Sequence, residues 1–471
     1  CNFMMRIVMV ASEATPFINT GGLADVMEAL PRALAERGIP VAVVMPRYGK
    51  MHADPADRER NDFPIWVGNR QFPATLDRAK LHGVPYYFVN CPELFARDQI
   101  YGDYPDNAVR FAAFARAALE VVRGVFRPTV VHCHDWHSGL VPAYMKGTFA
   151  LDPTFAGLKT VYTIHNLGYH LSFPREELRV LGLPEDLYTS GALEFWGKAN
   201  FMKAALTLSD ALTTVSPRYA QEIQTAEDGF GFEGILSSRA GVLTGILNGV
   251  DYDVWNPETD KYLVANYSAR DLSGKAVQKK ALVQEMGLPA EAAGRPVMGV
   301  ISRLSSQTGF DLLESIAPAL MKEDATLIVL GSGESRYEEL FRNLAADYPD
   351  RCAVRIGFDN GLAHRIEAGA DIFLMPSRYE PCGLNQMYSL RYGTVPVVRA
   401  VGGLADTIDS ENGFKFEEYS GGALLETIRS ALAAYRNPKQ WSALVQNGMA
   451  RDHSWGASAE RYVELYRTLG S

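Results

Sequence analysis

The sequence predicts an α/β protein made of two doubly wound, mainly parallel sheets. The chain has 471 residues, too many for one hydrophobic core, so about two domains of ~200 residues each are expected. Short apolar runs alternate with amphipathic stretches, and this alternation occurs twice along the chain. Glycine-containing turns follow several of the apolar runs, as is typical of strand-to-helix turns at a ligand-binding edge.

The first half of the chain contains the first series of apolar runs. Helices are predicted between them at Leu23–Arg37 and Ala108–Arg123, because their apolar residues recur with helical spacing. The runs themselves predict buried parallel strands. These strands are expected at Ile7–Val10, Val41–Met45, Tyr86–Val89, Val130–His132 and Thr160–Ile164.

The second half repeats the pattern after a polar, turn-rich segment at Asn248–Pro257, which is a candidate hinge. Strands are predicted at Gly245–Leu247, Val297–Ile301, Leu327–Leu330, Ala353–Ile356, Ile372–Met375 and Val395–Val398. Helices are predicted near Phe310–Met321, Tyr337–Tyr348, Gly361–Glu367 and Leu384–Tyr392. The predicted domains are residues 1–245 and 246–454, followed by a C-terminal helix at 455–471 that could return to the first domain.

Composition narrows the class of protein. The hydrophobic fraction of 47% and charged fraction of 21% are those of a globular protein in water. A net charge of −9 argues against nucleic-acid or anionic-membrane partners. The five cysteines are scattered and form no C-x-x-C pair, so reduced thiols and a cytoplasmic location are expected. No apolar run reaches the ~18 residues that a membrane span requires, and the first run predicts a strand rather than a signal peptide.

The stretch from Pro376 to Thr407 carries the strongest chemical signal. Glu380 directly precedes a Pro-Cys-Gly turn and a helix-like run, and a second glycine pair follows at Gly402-Gly403. Such an arrangement suits a phosphosugar, because the helix N-terminus attracts the phosphate and the carboxylate accepts hydrogen bonds from sugar hydroxyls. The string Gly-Gly-Leu-Ala-Asp also occurs within Asn19–Val26. Two such turns predict two half-sites, one in each half of the chain; the alternative for Asn19–Asp25 is an ordinary strand-to-helix turn.

Two histidine-containing segments follow predicted strands of the first half. His132–His137 contains three histidines, which raises the possibility of a metal site. However, His137 falls in the turn beyond the strand face shared by His132 and His134, and no obvious carboxylate or cysteine completes the ligand set at helical spacing. A position at the ligand-binding edge of the sheet is favoured instead. His165 follows Thr160–Ile164 directly; it either contacts a sugar at the same edge or is a structural histidine.

Two segments of the second half suit a nucleotide. Arg303 follows a predicted strand and precedes a glycine and a helix, so it can hold a diphosphate bidentately. The alternative is a surface salt bridge. Gly331-Ser332-Gly333 permits close approach of a ligand, but it lacks the third glycine of the dinucleotide fingerprint, which disfavours an oxidoreductase.

Taken together, these segments resemble the bacterial glycogen synthases and plant starch synthases of glycosyltransferase family 5, and the resemblance covers nearly the whole chain. In the first half of the chain, the family pattern K-T-G-G-L-x-D-V appears at Asn19–Val26, H-D-W-H at His134–His137, T-I-H-N-L at Thr163–Leu167 and T-T-V-S-P at Thr213–Pro217. In the second half, L-N-G-x-D appears at Leu247–Asp251, S-R-L-x-x-Q-K-G at Ser302–Gly309, E-P-C-G-L at Glu380–Leu384 and G-G-L-A-D-T at Gly402–Thr407.

The resemblance implies a GT-B fold, with two Rossmann-like domains facing a central cleft. It implies an acceptor-side first domain and a nucleotide-sugar second domain. The implied reaction is retaining transfer of glucose from ADP-glucose to the non-reducing 4-OH of an α-1,4-glucan, without a metal or other cofactor. Nucleic acid and membrane are not expected as partners.

The resemblance also implies residue roles. Arg303 would hold the diphosphate, Glu380 would bind the transferred glucose, and His165 and Asp135 would lie beside it. The donor would be bound around Asn19, Gly21, Gly22, Thr308, Phe358, Cys382, Gly383, Leu384 and Asn385, with Phe358 against the adenine. The sugar and acceptor path would include Asp25, Tyr101, Asn166 and Asn248.

The chain departs from the family pattern at positions near the expected site. Asn19 and Thr308 stand where the family has lysines, and Tyr169-His170-Leu171 replaces Tyr-Gln-Gly. The loop after Asp406 is also shorter than usual. A weakly active or non-catalytic relative that binds glucan or nucleotide is therefore the alternative hypothesis. A sucrose synthase-like or trehalose-forming enzyme is a third, which the sequence context of Glu380 and of Trp255-Asn256-Pro257 argues against.

Overall fold

The structure is a computed structural model that describes residues 5–55 and 57–470. The chain divides into two compact units. Unit 1 contains the chain up to residue 215 together with residues 220–246 and the segment from residue 455 onward. Unit 2 contains residues 216–219 and 247–454. The C-terminal helix is thus part of unit 1.

Unit 1 is organised around a predominantly parallel sheet. Its strands, including those of two small side sheets, are β1 (Ile7–Val10), β2 (Val41–Pro46), β3 (Asp57–Arg60), β4 (Ile65–Val67), β5 (Arg70–Phe72), β6 (Thr75–Leu81), β7 (Val84–Asn90), β8 (Val130–His134), β9 (Lys159–Ile164), β10 (Ser172–Phe173), β11 (Glu194–Phe195), β12 (Lys198–Asn200), β13 (Ala211–Thr214) and β14 (Leu243–Gly245). The main sheet has nine strands in the order β14-β13-β9-β8-β1-β2-β7-β6-β3. Strands β14 to β7 in this order are parallel, and the remaining edge is antiparallel.

Helices cover the parallel strands of unit 1. They are α1 (Gly22–Ala35), α2 (Pro92–Phe95), α3 (Asn107–Gly124), α4 (Leu140–Lys146), α5 (Glu177–Leu181), α6 (Phe201–Leu208), α7 (Pro217–Glu222), which the unit boundary divides, and α8 (Glu233–Ser238). All four residues of β1 are fully buried, because the strand lies between two parallel neighbours and under helices. This explains why it has an uninterrupted apolar run rather than an alternating one.

Unit 2 contains a second doubly wound sheet. Its strands are β15 (Val297–Leu304), β16 (Thr326–Gly333), β17 (Cys352–Ile356), β18 (Ile372–Met375), β19 (Val395–Arg399) and β20 (Phe414–Phe416), in the order β17-β16-β15-β18-β19-β20, all parallel. The helices are α9 (Ser273–Glu285), α10 (Phe310–Leu320), α11 (Ser335–Asp347), α12 (Asn360–Gly369), α13 (Asn385–Arg391), α14 (Gly402–Thr407), α15 (Gly421–Tyr435) and α16 (Pro438–Met449). The predicted α/β class with two doubly wound sheets is confirmed.

One predicted strand belongs to a different sheet from the one expected. The run Gly245–Leu247 was predicted to start the second half, but the structure has a strand at Leu243–Gly245 that pairs with β13 of unit 1. This short edge strand pairs along one side with β13, and the N–H of Ile246 continues the pairing by donating to the Thr214 carbonyl. Strand β3 was also not predicted, because its residues, Asp-Arg-Glu-Arg, have no apolar alternation.

The C-terminal helix α17 (Trp455–Gly470) is anchored to unit 1 by buried hydrogen bonds. The Tyr466 hydroxyl lies 2.7 Å from Nδ1 of His132, and Nε2 of His132 lies 2.6 Å from the Thr163 hydroxyl. The guanidinium of Arg37 in addition donates to the Gly456 carbonyl at 2.6 Å. The last helix is therefore connected to β8 and β9, the two strands whose ends carry the candidate site. Among the described residues, no helix is long and apolar enough to cross a bilayer.

Candidate active site residues in the two units

In unit 1, the predicted site residues lie at the carboxyl ends of three adjacent strands. The sheet order places β9, β8 and β1 side by side, and all three run in the same direction. Asp135 follows β8, His165 follows β9, and the loop carrying Asn19 follows β1. The edge is the one at which open α/β sheets bind ligands.

The glycine loop before α1 is held in place by Glu13. Its carboxylate accepts hydrogen bonds from the backbone N–H of Thr20 at 2.7 Å and from the Thr20 hydroxyl at 2.8 Å. Burial raises the pKa of Glu13, while these hydrogen bonds lower it. A Cβ atom built on Gly21 or Gly22 would meet no atom within 4 Å, so the loop is open to a ligand. Sequence reasoning missed Glu13, although its position just after a buried strand is a signal for it.

Asn19 is hydrogen-bonded within this loop. Its side-chain amide donates to the Asp25 carboxylate at 2.8 Å and to the Thr15 hydroxyl at 2.9 Å, and the Thr15 hydroxyl also donates to Asp25 at 3.0 Å. Desolvation by the surrounding protein raises the pKa of Asp25, and the hydrogen bonds from Thr15 and Asn19 oppose this rise. The position thus carries a neutral donor to Asp25 where the resemblance implies a cation.

Tyr101 connects the end of β1 with the turn after β8. Its hydroxyl lies 2.6 Å from the Ser12 hydroxyl, and its ring lies 4.5 Å from the ring of His137. Burial raises the pKa of Tyr101 well above its usual value, so the phenol remains a neutral hydrogen-bonding group. The structure therefore brings Tyr101 to the same edge as Asp135, where the resemblance implied a place for it on the sugar and acceptor path.

Asp135 organises the turn that carries His165 and Asn166. It has a left-handed backbone conformation with φ 56°, which is unusual outside glycine. Its carboxylate accepts the backbone N–H of His165 at 2.8 Å, and the backbone N–H of Asn166 also hydrogen-bonds to it. Burial raises the pKa of Asp135 to about 7, and these backbone hydrogen bonds oppose the rise. The strained turn and the partly buried carboxylate together fix the end of β9.

The histidines of this region are neutral and contact one another. The rings of His132 and His134 stack at 4.1 Å, and Nδ1 of His134 lies 2.9 Å from Nε2 of His165. Burial lowers the pKa of His132 and of His165 to about 3 and that of His134 well below its usual value. In the part of the chain that the structure describes, no three His, Cys, Asp or Glu side chains are placed to hold a metal ion.

In unit 2, the predicted donor residues lie at the carboxyl ends of parallel strands. Arg303 is exposed at the end of β15, Phe358 follows β17, and Glu380 follows β18. The Phe358 ring is 91% exposed. Since β15 neighbours β18 and is separated from β17 by one strand, all three side chains belong to the same edge of the sheet.

Glu380 stands on a loop with close backbone packing. A hydrogen bond from the Gly383 N–H lowers the pKa of its carboxyl, but burial dominates and raises the pKa to about 7. Gly383 has φ 70°, and it and Leu384 immediately precede α13. Burial likewise raises the pKa of Cys382 to about 12, so its thiol is not a reactive thiolate.

The second glycine pair packs closely against this loop. A Cβ atom on Gly402 would lie 1.7 Å from the carbonyl oxygen of Glu380, and one on Gly403 would lie 2.0 Å from that of Cys382. Both glycines are buried. Close backbone packing therefore explains why both positions are glycine, and the half-site at this turn stays a prediction.

The remaining donor-side residues are fixed by contacts within unit 2. The Thr308 hydroxyl donates to the carbonyls of Arg303 at 2.8 Å and Ser305 at 2.9 Å, and the Asn385 amide donates to the Ile301 carbonyl at 3.1 Å. Oδ1 of Asn248 is buried and has no hydrogen-bond partner among the described residues. Sequence reasoning missed the Ser216 hydroxyl, which donates to the Pro381 carbonyl at 2.6 Å. The Glu380 loop is thus held by a residue that precedes it in the chain, as well as by the glycine pair that follows it.

Two family models match this chain. The model described as the starch synthase catalytic domain matches residues 6–238, and the model for group 1 glycosyl transferases matches residues 288–448. A glycogen synthase from Koribacter versatilis is 50% identical over 98% of both chains. Glycogen synthases from Anaeromyxobacter dehalogenans and Moorella thermoacetica are 50% and 45% identical, and each alignment covers 99% of this chain.

Solved structures agree with these sequence relatives. The catalytic domain of starch synthase IV from Arabidopsis thaliana, solved with ADP and acarbose bound, is 32% identical, with a TM-score of 0.88 and coverage of 99% of this chain and 100% of that one. Sucrose-phosphate synthase from Thermosynechococcus elongatus shares only the fold, at 19% identity over 99% of both chains and a TM-score of 0.61. The chain therefore belongs to the glycogen and starch synthase family of glycosyltransferases, with the GT-B fold.

Proposed function

We propose that this enzyme transfers glucose from ADP-glucose to the non-reducing 4-OH of an α-1,4-glucan with retention of configuration. The observation that carries the proposal is the edge of the unit 2 sheet, where a guanidinium, an exposed aromatic ring and a carboxylate of raised pKa are gathered. A guanidinium suits a diphosphate, an aromatic ring suits a nucleotide base, and a carboxylate suits the hydroxyls of a sugar. The bound ADP and acarbose of the Arabidopsis relative are also a nucleotide and an oligosaccharide.

The donor is proposed to be held by unit 2. Arg303 pairs with the diphosphate, on which negative charge develops as ADP departs. Phe358 stacks on the adenine, since its ring is exposed to solvent. Glu380 accepts hydrogen bonds from the glucose hydroxyls and stabilises positive charge on the ring. The backbone of Gly383 and Leu384 lines the donor.

The sugar and acceptor are proposed to lie at the strand-end edge of unit 1. Asp135 fixes the turn that presents His165 and Asn166, and its carboxylate adds negative potential beside a glucosyl group with oxocarbenium character. The neutral His165 adds no opposing charge. Asp25 and Tyr101 supply further hydrogen-bonding groups for hydroxyls. In unit 2, the buried Oδ1 of Asn248 can accept a hydrogen bond from a ligand hydroxyl.

The direct test is glucosyl transfer from labelled ADP-glucose to glycogen, with UDP-glucose assayed in parallel. We expect transfer from ADP-glucose, faster than from UDP-glucose, and an α-linked product. Absence of transfer from either donor would contradict the proposed activity. If ADP or glucan binding then remained measurable by calorimetry, the chain would be the non-catalytic binding relative.

One observation favours the second candidate function, a weakly active or non-catalytic relative that binds glucan or nucleotide. Both lysine positions of the family carry neutral side chains here, and both side chains are engaged in internal hydrogen bonds, Asn19 to Asp25 and Thr308 to the Arg303 carbonyl. A preorganised cation aimed at developing charge is commonly worth about 10²–10³ in rate. We therefore expect activity below that of relatives that retain the lysines.

Substituting Thr308→Lys should raise kcat for ADP-glucose by about tenfold or more, because it returns a cation near the end of β15. Thr308→Met is the matched control, since it removes the same hydrogen bonds and has a similar length without charge. The measurement is steady-state turnover of both variants against the unmodified enzyme. An equal effect of Lys and Met would show that charge at this position does not limit the reaction.

The pH profile should reflect the carboxylates of raised pKa. The pKa is raised to about 7 for both Glu380 and Asp135, so both are protonated below that pH and ionised above it. Because the ionised forms are proposed to stabilise the glucosyl group, kcat/KM should rise with pH between about pH 6 and 8. Steady-state assays across this range measure the profile, and a constant or falling kcat/KM would contradict the assignment.

A further inference from the structure

Three large aromatic side chains are exposed on neighbouring loops of unit 1. The exposed fractions are 61% for Tyr169, 81% for Trp196 and 47% for Phe230. We refer to Tyr169, Trp196 and Phe230 as the aromatic ridge. Exposed aromatic groups that adjoin one another are a common feature of binding surfaces, and none of these three has a role in the transfer reaction proposed above.

Trp196 occupies a turn position at which tryptophan is disfavoured. Phe195 and Lys198 are paired across the hairpin of β11 and β12, leaving Trp196 and Gly197 as a two-residue loop. Both loop residues are left-handed, with φ 52° and 78°, as in a type I′ turn. The first position of such a turn strongly prefers Asn, Asp or Gly. Turn geometry therefore does not explain the tryptophan, and its exposure shows that burial does not explain it either.

Phe230 repeats this arrangement in a second turn. Phe230 and Gly231 have φ 50° and 87°, and the N–H of Phe232 donates to the Gly229 carbonyl at 2.7 Å, closing the turn. An aromatic residue again precedes a glycine in successive left-handed conformations. Backbone strain of this kind is retained where the surrounding structure and a function require it.

The two turns are packed against each other. The rings of Phe195 and Phe232 stack at 4.3 Å with their planes 7° apart. A Cβ atom on Gly231 would lie 3.0 Å from Nε1 of Trp196, so the indole lies directly over the second turn. A Cβ atom on Gly168 would lie 3.4 Å from the Phe230 ring, which places the segment of Tyr169 next to the same turn. The ridge is therefore continuous and held on a packed base.

His170 forms part of this base. Its ring lies edge-on to Phe195 at 5.7 Å and to Phe232 at 5.1 Å, and its Nδ1 lies 3.0 Å from the side-chain amide nitrogen of Asn200. His170 is also one of the positions at which the chain departs from the family pattern. The departure thus lies beneath the exposed rings and contributes to their support.

The charges beside the ridge are directed into its own turns. The Glu194 carboxylate accepts the N–H of Gly197 at 2.8 Å, and the Glu233 carboxylate accepts the N–H of Gly231 at 2.9 Å. The ridge itself consists of uncharged rings, and the exposed Lys198 and Glu227 beside the two turns have opposite charges. A neutral ligand with flat apolar faces and hydroxyl edges matches such a surface better than a polyanion, for which no cluster of cations is present in these two turns.

The ridge is also continuous with the candidate sugar site. The N–H of Gly168 donates to Oδ1 of Asn166 at 3.0 Å, and the N–H of Tyr169 donates to the Asn166 carbonyl at 3.3 Å. Asn166 follows β9 and His165 directly. A ligand chain that begins at the strand-end edge can therefore extend over Tyr169 towards Phe230 and Trp196.

We propose that the aromatic ridge binds an α-1,4-glucan chain at a distance from the reacting residues, with the C–H faces of glucose units stacked on the rings of Trp196 and Phe230. The choice of glucan as the occupant rests on the proposed function. Stacking on several rings holds a polymer by successive weak contacts, so the ridge favours long acceptors over short ones.

The test compares Trp196→Asn combined with Phe230→Asn against the unmodified protein and against Trp66→Asn. Trp66 is a matched control, because it is 48% exposed in another hairpin of unit 1. Electrophoresis through gels containing glycogen measures affinity without requiring turnover. We expect the double variant to lose about tenfold or more in affinity, and the Trp66 variant to migrate like the unmodified protein.

Thermal unfolding separates a binding role from a structural one. Asparagine is preferred at both turn positions, so the double variant should melt at or above the temperature of the unmodified protein while losing glycogen affinity. Trp196→Tyr retains a ring and should retain most of the affinity. A folded double variant with unchanged affinity, or an unmodified protein that glycogen does not retard, would overturn the proposal.

Two further measurements, acceptor-length dependence and oligomeric state, distinguish glucan binding at the ridge from a general loss of activity and from an interface between copies. Transfer to maltotriose should be nearly the same in the double variant and the unmodified protein, whereas transfer to glycogen should show a raised KM. If no donor supports transfer, the gel measurement still tests the ridge, so the proposed function can fail separately. A change from dimer to monomer with unchanged glycogen affinity would identify the ridge as an interface between copies and overturn the glucan assignment.

Discussion

The proposed chemistry of unit 2 depends on a close contact between two backbone segments. Gly402 and Gly403 lie against the carbonyl oxygens of Glu380 and Cys382, where any Cβ atom would overlap them. The Ser216 hydroxyl holds the Pro381 carbonyl of the same loop. These contacts fix the loop before any ligand arrives, so the carboxylate does not have to be reorganised during the reaction. Glycine at both positions is thus a requirement of the loop's support.

Unit 1 achieves a similar fixation with hydrogen bonds instead of glycines. The Asp135 carboxylate holds the backbone of His165, and the buried contacts of His132 with Thr163 and Tyr466 connect the same two strands to the last helix. Burial keeps the histidines neutral, so the carboxylates dominate the charge at this edge. The C-terminal segment of the chain thereby contributes to the geometry of residues more than 300 positions away in sequence, as the contact between His132 and Tyr466 shows.

Much of the fold was predictable, because buried parallel strands such as Ile7–Val10 have continuous apolar sequences and helices such as α3 have a regular apolar face. The antiparallel strand β3 was not, since it is short, charged and exposed. Strand β14 was assigned to the wrong sheet because a three-residue edge strand does not encode its partner. Glu13 was missed because its role depends on Thr20 folding back onto it. The close packing of Gly402 on the Glu380 carbonyl could not be predicted, because a sequence does not distinguish approach of a backbone from approach of a ligand.

The central claim is that Glu380 acts on the transferred sugar and is not needed for nucleotide binding or folding. The most direct measurement is turnover of Glu380→Gln together with calorimetric binding of ADP and thermal unfolding of the same variant. The account predicts a loss of about 10²–10³ in kcat, with ADP affinity and melting temperature close to those of the unmodified enzyme. Unchanged turnover, or a loss of turnover accompanied by an equal loss of ADP binding, would contradict it.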